Sequence, residues 1–150
     1  MADRPSYFHV EPEGALPEVA HLAPFRVVVV VDAIVTAAWR AQVSAWLVRS
    51  GCLYMMAWGR AASLWDDTVD MANLEQFEFG DIPDDRFVFT TWHADESLSE
   101  AMSFCKHQAV HPTVRISHTV LLHVAEHADA TRLLATFADA RFLPRAVVIQ

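Results

Sequence analysis

Carboxylates and imidazoles are the side chains of this sequence best equipped for chemistry: it holds nineteen Asp and Glu and eight His, against two Cys. Asp32, Asp66, Asp67, His93 and His123 could offer oxygen and imidazole ligands to a divalent metal. Such an ion would lower the pKa of a bound water and leave a spare carboxylate as base. In that reading Asp32, Asp67 and His93 are the catalytic candidates, and Asp32, Asp66, His93 and His123 the metal candidates. Their spacing matches no compact motif such as H-E-x-x-H. Each also has a plain structural use, with Asp32 and Asp66 capping helices and His93 capping or packing at a strand end. No cofactor is called for by the sequence, a divalent metal is the one ligand these residue types admit, and enzymatic activity is left open.

Other chemistry finds less support. There is no G-x-S-x-G elbow, and Gly14, Gly51, Gly59 and Gly80 are too scattered for a phosphate-cradling loop. Asp32 is followed by Ala-Ile, so a D-x-D phospho-aspartate site lacks its second acid. His107 and His111 suit a helix end before Pro112, and Cys105 lies in an apolar helical pattern that favours packing over nucleophilic attack.

Charge is distributed unevenly. The formal net charge is −8, and ten of the eleven basic residues are arginine. Between Ala61 and Asp85 stand eight acids (Asp66, Asp67, Asp70, Glu75, Glu78, Asp81, Asp84, Asp85) with no Lys or Arg, so this one segment carries the whole excess. A general nucleic-acid binder is disfavoured, since neutralising phosphates needs a basic face. A local acidic surface points instead to a solvated face, a cation site or a dock for a basic partner.

The elements that must position these residues follow from periodicity. At 150 residues and 53% hydrophobic, the chain suits one compact domain. Residues 1–24, with Pro5, Pro12, Pro17 and Pro24, read as an extended arm, and 25–150 as a single α/β domain. Val27–Val31 is a continuous β-branched run, expected as a central strand buried on both faces. A helix follows over 33–50, closed by Gly51, with Trp39 and Trp46 as core or subunit contacts, so a homo-oligomer stays open. Further strands are expected at 52–58, 86–92, 116–124 and 146–149. The intervening helices are an acidic one from Trp65 to Phe77, a second opened by the Ser97-x-x-Glu100 capping box, and a third capped by Asp129. About five strands alternating with four helices give a mostly parallel sheet, Rossmann-like or flavodoxin-like.

In the common order 2-1-3-4-5, ligands sit at the carboxyl ends of the strands where the chain reverses direction. That rim would gather Asp32, Trp58, Trp65, Asp66, Asp67, Trp92, His93, Glu96 and His123. The indoles offer large contact area with a polar handle, as useful to a small-molecule pocket as to a protein dock. The most apolar stretch, 25–48, is interrupted by Arg26, Asp32 and Arg40, so no membrane span is expected. The opening residues lack a secretory pattern and the cysteines no ligand or disulfide spacing, which makes a cytoplasmic protein the expectation.

Trp65-Asp66-Asp67-Thr68-Val69-Asp70 with Asn73-Leu74-Glu75-Gln76-Phe77, and Thr90-Thr91-Trp92-His93, resemble the motif stretches of an uncharacterised bacterial family, a domain of unknown function. The resemblance covers roughly 25–125 and implies that the two polar stretches share a site in a small Rossmann-like domain. Two functions remain. One is a non-catalytic binding or accessory protein, for instance an inhibitor or immunity-type protein, presenting Trp58, Trp65, Asp66, Asp67, Asp70, Trp92, His93 and Glu96 to a basic protein partner. The other is a small metal-dependent hydrolase or transferase at the strand ends.

Overall fold

Five valines in succession can be shielded from water only if a strand has neighbours on both edges and cover on both faces, and the fold supplies both. The computed structural model describes residues 4–142. In chain order these form β1 (Ser6–Val10), β2 (Phe25–Val31), α1 (Ala37–Arg49), β3 (Cys52–Gly59), α2 (Ala62–Gln76), β4 (Phe89–Trp92), α3 (Leu98–His107), β5 (His118–Val124) and α4 (Ala130–Asp139). The five strands make one all-parallel sheet in the order β1-β5-β2-β3-β4. Val27, Val29 and Val31 point into a core shared with Trp39, Leu47, Trp65 and Val69 of α1 and α2. Val28 and Val30 point the other way, towards Met102, Leu133 and Phe137 of α3 and α4.

The expected α/β class with a parallel sheet holds, but the strand order differs. The valine strand lies between β3 and β5, not beside β4, and β1 occupies an edge. The reason lies in side-chain polarity. β5 is apolar on both faces from Val120 to Leu122 and must be interior, whereas Phe89-Thr90-Thr91-Trp92 is half-exposed and tolerates an edge. Right-handed crossovers carry α1 and α2 along one face as the chain steps from β2 to β4. They place α3 on the opposite face when the chain returns to β5. The reversal therefore falls between β2 and β5. The strand expected at 146–149 lies outside the described residues.

Residues 11–24 cross the α1 face under three restraints. The Trp39 indole donates to Gly14 O at 3.0 Å and the Trp46 indole to Pro17 O at 3.0 Å. Glu13 accepts from both the backbone N–H (2.9 Å) and the hydroxyl (2.6 Å) of Thr36. Thr36 is also the N-cap of α1, accepting from Trp39 N–H, a role the sequence had offered to Asp32. The capping box at Ser97 and the Asp129 cap form as expected. Helix α2 begins at Ala62, earlier than expected, so Asp66 and Asp67 sit beyond its first turn.

Trp39→Phe keeps an aromatic ring but removes the bond to Gly14 and the pyrrole half of the buried indole, which should cost about 1–3 kcal/mol. Limited proteolysis should then cut within 11–24 faster than in the parent protein; an unchanged cleavage rate would mean the indole does not hold this segment. At Gly59, φ is +102° and an added Cβ would lie 2.3 Å from Val31 O. Gly59→Ala should therefore lower stability by about 2 kcal/mol or more, read as a reduced urea midpoint.

Candidate functional site

All strands run the same way, so their carboxyl ends share one edge, and the crevice between β2 and β5 is where the chain reverses. The carboxylate of Asp32 stands there. Its Oδ2 accepts from His123 Nε2 at 2.6 Å and from the Arg132 guanidinium at 2.9 Å. His123 Nδ1 lies 2.8 Å from the Tyr7 hydroxyl, which itself accepts from the backbone N–H of Asp129 at 2.9 Å. The Asp32 carboxylate can only accept, so Nε2 is the donor towards it, and Nδ1 has the Tyr7 hydroxyl as its partner. Arg132 is steadied by Asp129 Oδ2 at 3.0 Å. Burial raises the Tyr7 pKa above its ordinary value. The hydrogen-bonded chain Asp32–His123–Tyr7, with Arg132 and Asp129, joins β1, β2, β5 and α4. Tyr7, Asp129 and Arg132 were not among the sequence candidates, and the cap at Asp129 followed by Arg132 was the available signal.

His93 belongs to a different constellation. It follows β4, buried against Phe104, with Nε2 2.8 Å from Thr91 Oγ1 and Nδ1 3.2 Å from Glu96 Oε2. The Trp58 indole donates to Glu96 O at 2.8 Å. Trp58, His93 and Glu96 are therefore brought together. His93 and His123, however, stand three strand steps apart in the sheet order, roughly 14 Å. Asp66 is on the opposite face, among the residues of α2 that pack on β3 and β4. Only Asp32 and His123 of the four metal candidates touch, and among the described residues no three His, Cys, Asp or Glu side chains are grouped to hold an ion.

The α2–β4 edge gathers the acidic candidates. Trp65, expected on the rim, is wholly buried and packs edge-on against Trp39 with ring centroids 6.4 Å apart. Asp66 is buried too, and its Oδ2 has no hydrogen-bond partner among the described residues. Beside it Thr90 donates to Asp70 Oδ1 at 2.6 Å. Burial, followed by the charge of Asp70, pushes the Asp66 carboxyl up to about 6. Asp67 and Asp70 are exposed, and Trp92 is 53% exposed. Asn73, absent from the sequence candidates, ties the strand to the helix: its side chain donates to Arg86 O and accepts from Val88 N–H.

The outer face of α2 was also missed. Leu64, Met71 and Leu74 are exposed opposite the buried Trp65 and Val69, flanking Asp67. Phe79, Phe87 and Trp92 extend the apolar exposure through the following loop to β4. Spacing of three to four residues carries this stripe, but the stronger inward pattern of the same helix masks it.

Asp66 binds its proton more tightly folded than unfolded, where it would titrate near 3.8. Its favourable contribution is complete below pH 4 and disappears as pH rises through 6. Asp66→Asn should accordingly be more stable than the parent at pH 7.5, by about 1–3 kcal/mol, with no advantage at pH 4. Urea unfolding at the two pH values checks this, and equal midpoints at pH 7.5 would contradict it.

No curated protein and no solved structure matches the chain. One family does, over residues 5–140, which takes in every described element from the edge strand β1 to α4. The chain is a member of the family described as domain of unknown function DUF7684.

Proposed function

We propose that this domain is a non-catalytic binding or accessory protein whose α2–β4 edge receives a basic protein partner, as an inhibitor or immunity-type protein would. The observation that carries this reading is the interleaving of exposed Leu64, Met71, Leu74, Phe79, Phe87 and Trp92 with the carboxylates of 67–85. Apolar exposure on this scale rimmed by charge is typical of interaction surfaces. Clustered carboxylates steer a cationic partner and raise its association rate. A lysine or arginine arriving beside Asp67 and Asp70 would also relieve the repulsion around buried Asp66. Cys52 and Cys105 are buried thiols, the first pushed up to about 12 by burial, which suits a reducing cytoplasm. Among the described residues no helix is long and apolar enough to cross a membrane.

The test compares two variants, Asp67→Lys/Asp70→Lys and Met71→Ser/Leu74→Ser, with the parent protein in affinity capture followed by binding kinetics. The charge variant should slow association about tenfold at low salt and flatten its salt dependence. The apolar variant should speed dissociation. A captured partner bound equally by all three proteins would refute the reading.

A second reading, a metal-dependent hydrolase or transferase at the carboxyl edge, draws on the Asp32–His123 pair in the crevice. It expects Mg²⁺, Mn²⁺, Zn²⁺ or Ca²⁺ to raise the unfolding midpoint by several degrees at saturation. That gain should vanish in Asp32→Ala.

A further inference from the structure

The opposite edge of the sheet has a character the rest of the molecule lacks. There the loop over 109–117 and the first residues of β2 and β5 enclose a cavity of about 910 Å³. Three of the ten arginines, Arg4, Arg26 and Arg115, line it together with His118, and among the described residues no Asp or Glu does. A chain of net charge −8 thus sets a patch of positive charge, Arg4 and Arg115, beside its own concavity. Such a patch costs self-repulsion, which an anion would remove.

The wall is built rather than incidental. His111 is buried, donates from Nε2 to Phe87 O at 2.8 Å, and accepts at Nδ1 from the backbone N–H groups of Thr113 and Val114, each at 3.2 Å. The Thr113 hydroxyl adds a bond to Asp84 O at 3.1 Å, and it is the backbone of Asp84, not its carboxylate, that takes part. Arg26 is braced by Thr119 Oγ1 at 2.7 Å and Ala109 O at 3.4 Å. Arg4 and Arg115 differ: both are exposed, and no hydrogen bond or ion pair joins either to the described residues. Guanidinium groups present paired N–H donors that match two oxygens of a phosphate or carboxylate. Between them, Val110 and Ile116 give the cavity an aliphatic side, suited to an organic body.

We infer that this cavity is a binding site for a small organic anion, a phosphate or carboxylate group carried on an apolar body, held by Arg4 and Arg115 against the wall that His111 sets. The site does not use Asp67 or Asp70 of the α2–β4 edge, although its wall is braced against Asp84 and Phe87 in the loop to β4. Thermal unfolding of the full chain with millimolar phenyl phosphate, benzoate and uncharged benzyl alcohol tests it. At least one of the two anions should raise the midpoint saturably by a few degrees, and which of them does so separates phosphate from carboxylate recognition. The rise should be absent with benzyl alcohol, lost in Arg4→Gln/Arg115→Gln, and kept in Asp67→Asn/Asp70→Asn. Both arginines are exposed, so the variant's own midpoint without ligand shows that it still folds. The inference is overturned by no saturable shift with either anion, by an equal shift with benzyl alcohol, or by a shift that survives loss of the two arginines.

Discussion

Burial of the β2 valines on both faces is the constraint from which the arrangement follows. A strand with no polar side needs two helical layers and two neighbouring strands, and right-handed crossovers then decide which helices lie on which face. The chain must reverse somewhere beside β2, and it does so at β5. Asp32 is the first polar residue after the run, and it resolves the junction in two ways. Its backbone N–H donates to Val124 O at 2.8 Å, continuing the strand pairing by one residue, while its carboxylate takes His123 and Arg132. The hydrogen-bonded chain through His123 is thus anchored where the apolar run ends.

Around this frame the charges are sorted by place. Acids crowd α2 and the loop to β4, Arg4, Arg26 and Arg115 line the concavity at the amino edge, and the carboxyl edge holds Asp32 paired with His123 and Arg132. Helix α2 carries the largest burden: Trp65, Val69 and Ala72 face the core, Asp66 and Asn73 face β4 and its approach, and Leu64, Met71 and Leu74 face outward. A helix apolar on two sides is costly for an isolated domain in water, and the partner proposed for α2 would offset that cost.

The class of fold was legible because hydrophobic period and burial are the same physical fact. Val27–Val31, the Ser97 capping box and the Asp129 cap all behave as their local chemistry dictates. Strand order was less so, because it depends on comparing strands with one another: β5 is apolar on both faces and β4 is not, a difference visible in Val120-Leu121-Leu122 against Thr90-Thr91-Trp92 only when the two are set side by side. For the site, the shared carboxyl edge was readable, but the expected order set other strands between Asp32 and His123 and between Trp58 and His93; their contacts follow from β5 lying beside β2 and β4 beside β3. Trp65 deceived because an indole beside two aspartates looks like a surface residue, whereas helical phase turns it inward and leaves Asp67 outside. Tyr7, Arg4 and Arg115 were beyond reach for a different reason, since their positions depend on long-range pairing of the first strand with the last described one.

That pairing has a consequence for the order in which the molecule can be made. Within the described sheet β1 has a single neighbour, β5, matched from Ser6 with Val120 to Val10 with Val124. More than a hundred residues of chain separate the two. Of the described strands, β1 is therefore synthesised first and can pair only after β5 has followed. Until β5 emerges, Tyr7 has no histidine and His9 no Ala125 carbonyl, while the indoles of Trp39 and Trp46 are already present to hold residues 14 and 17. The strap across α1 can keep the waiting strand beside the growing sheet, reducing the entropy of so distant a closure.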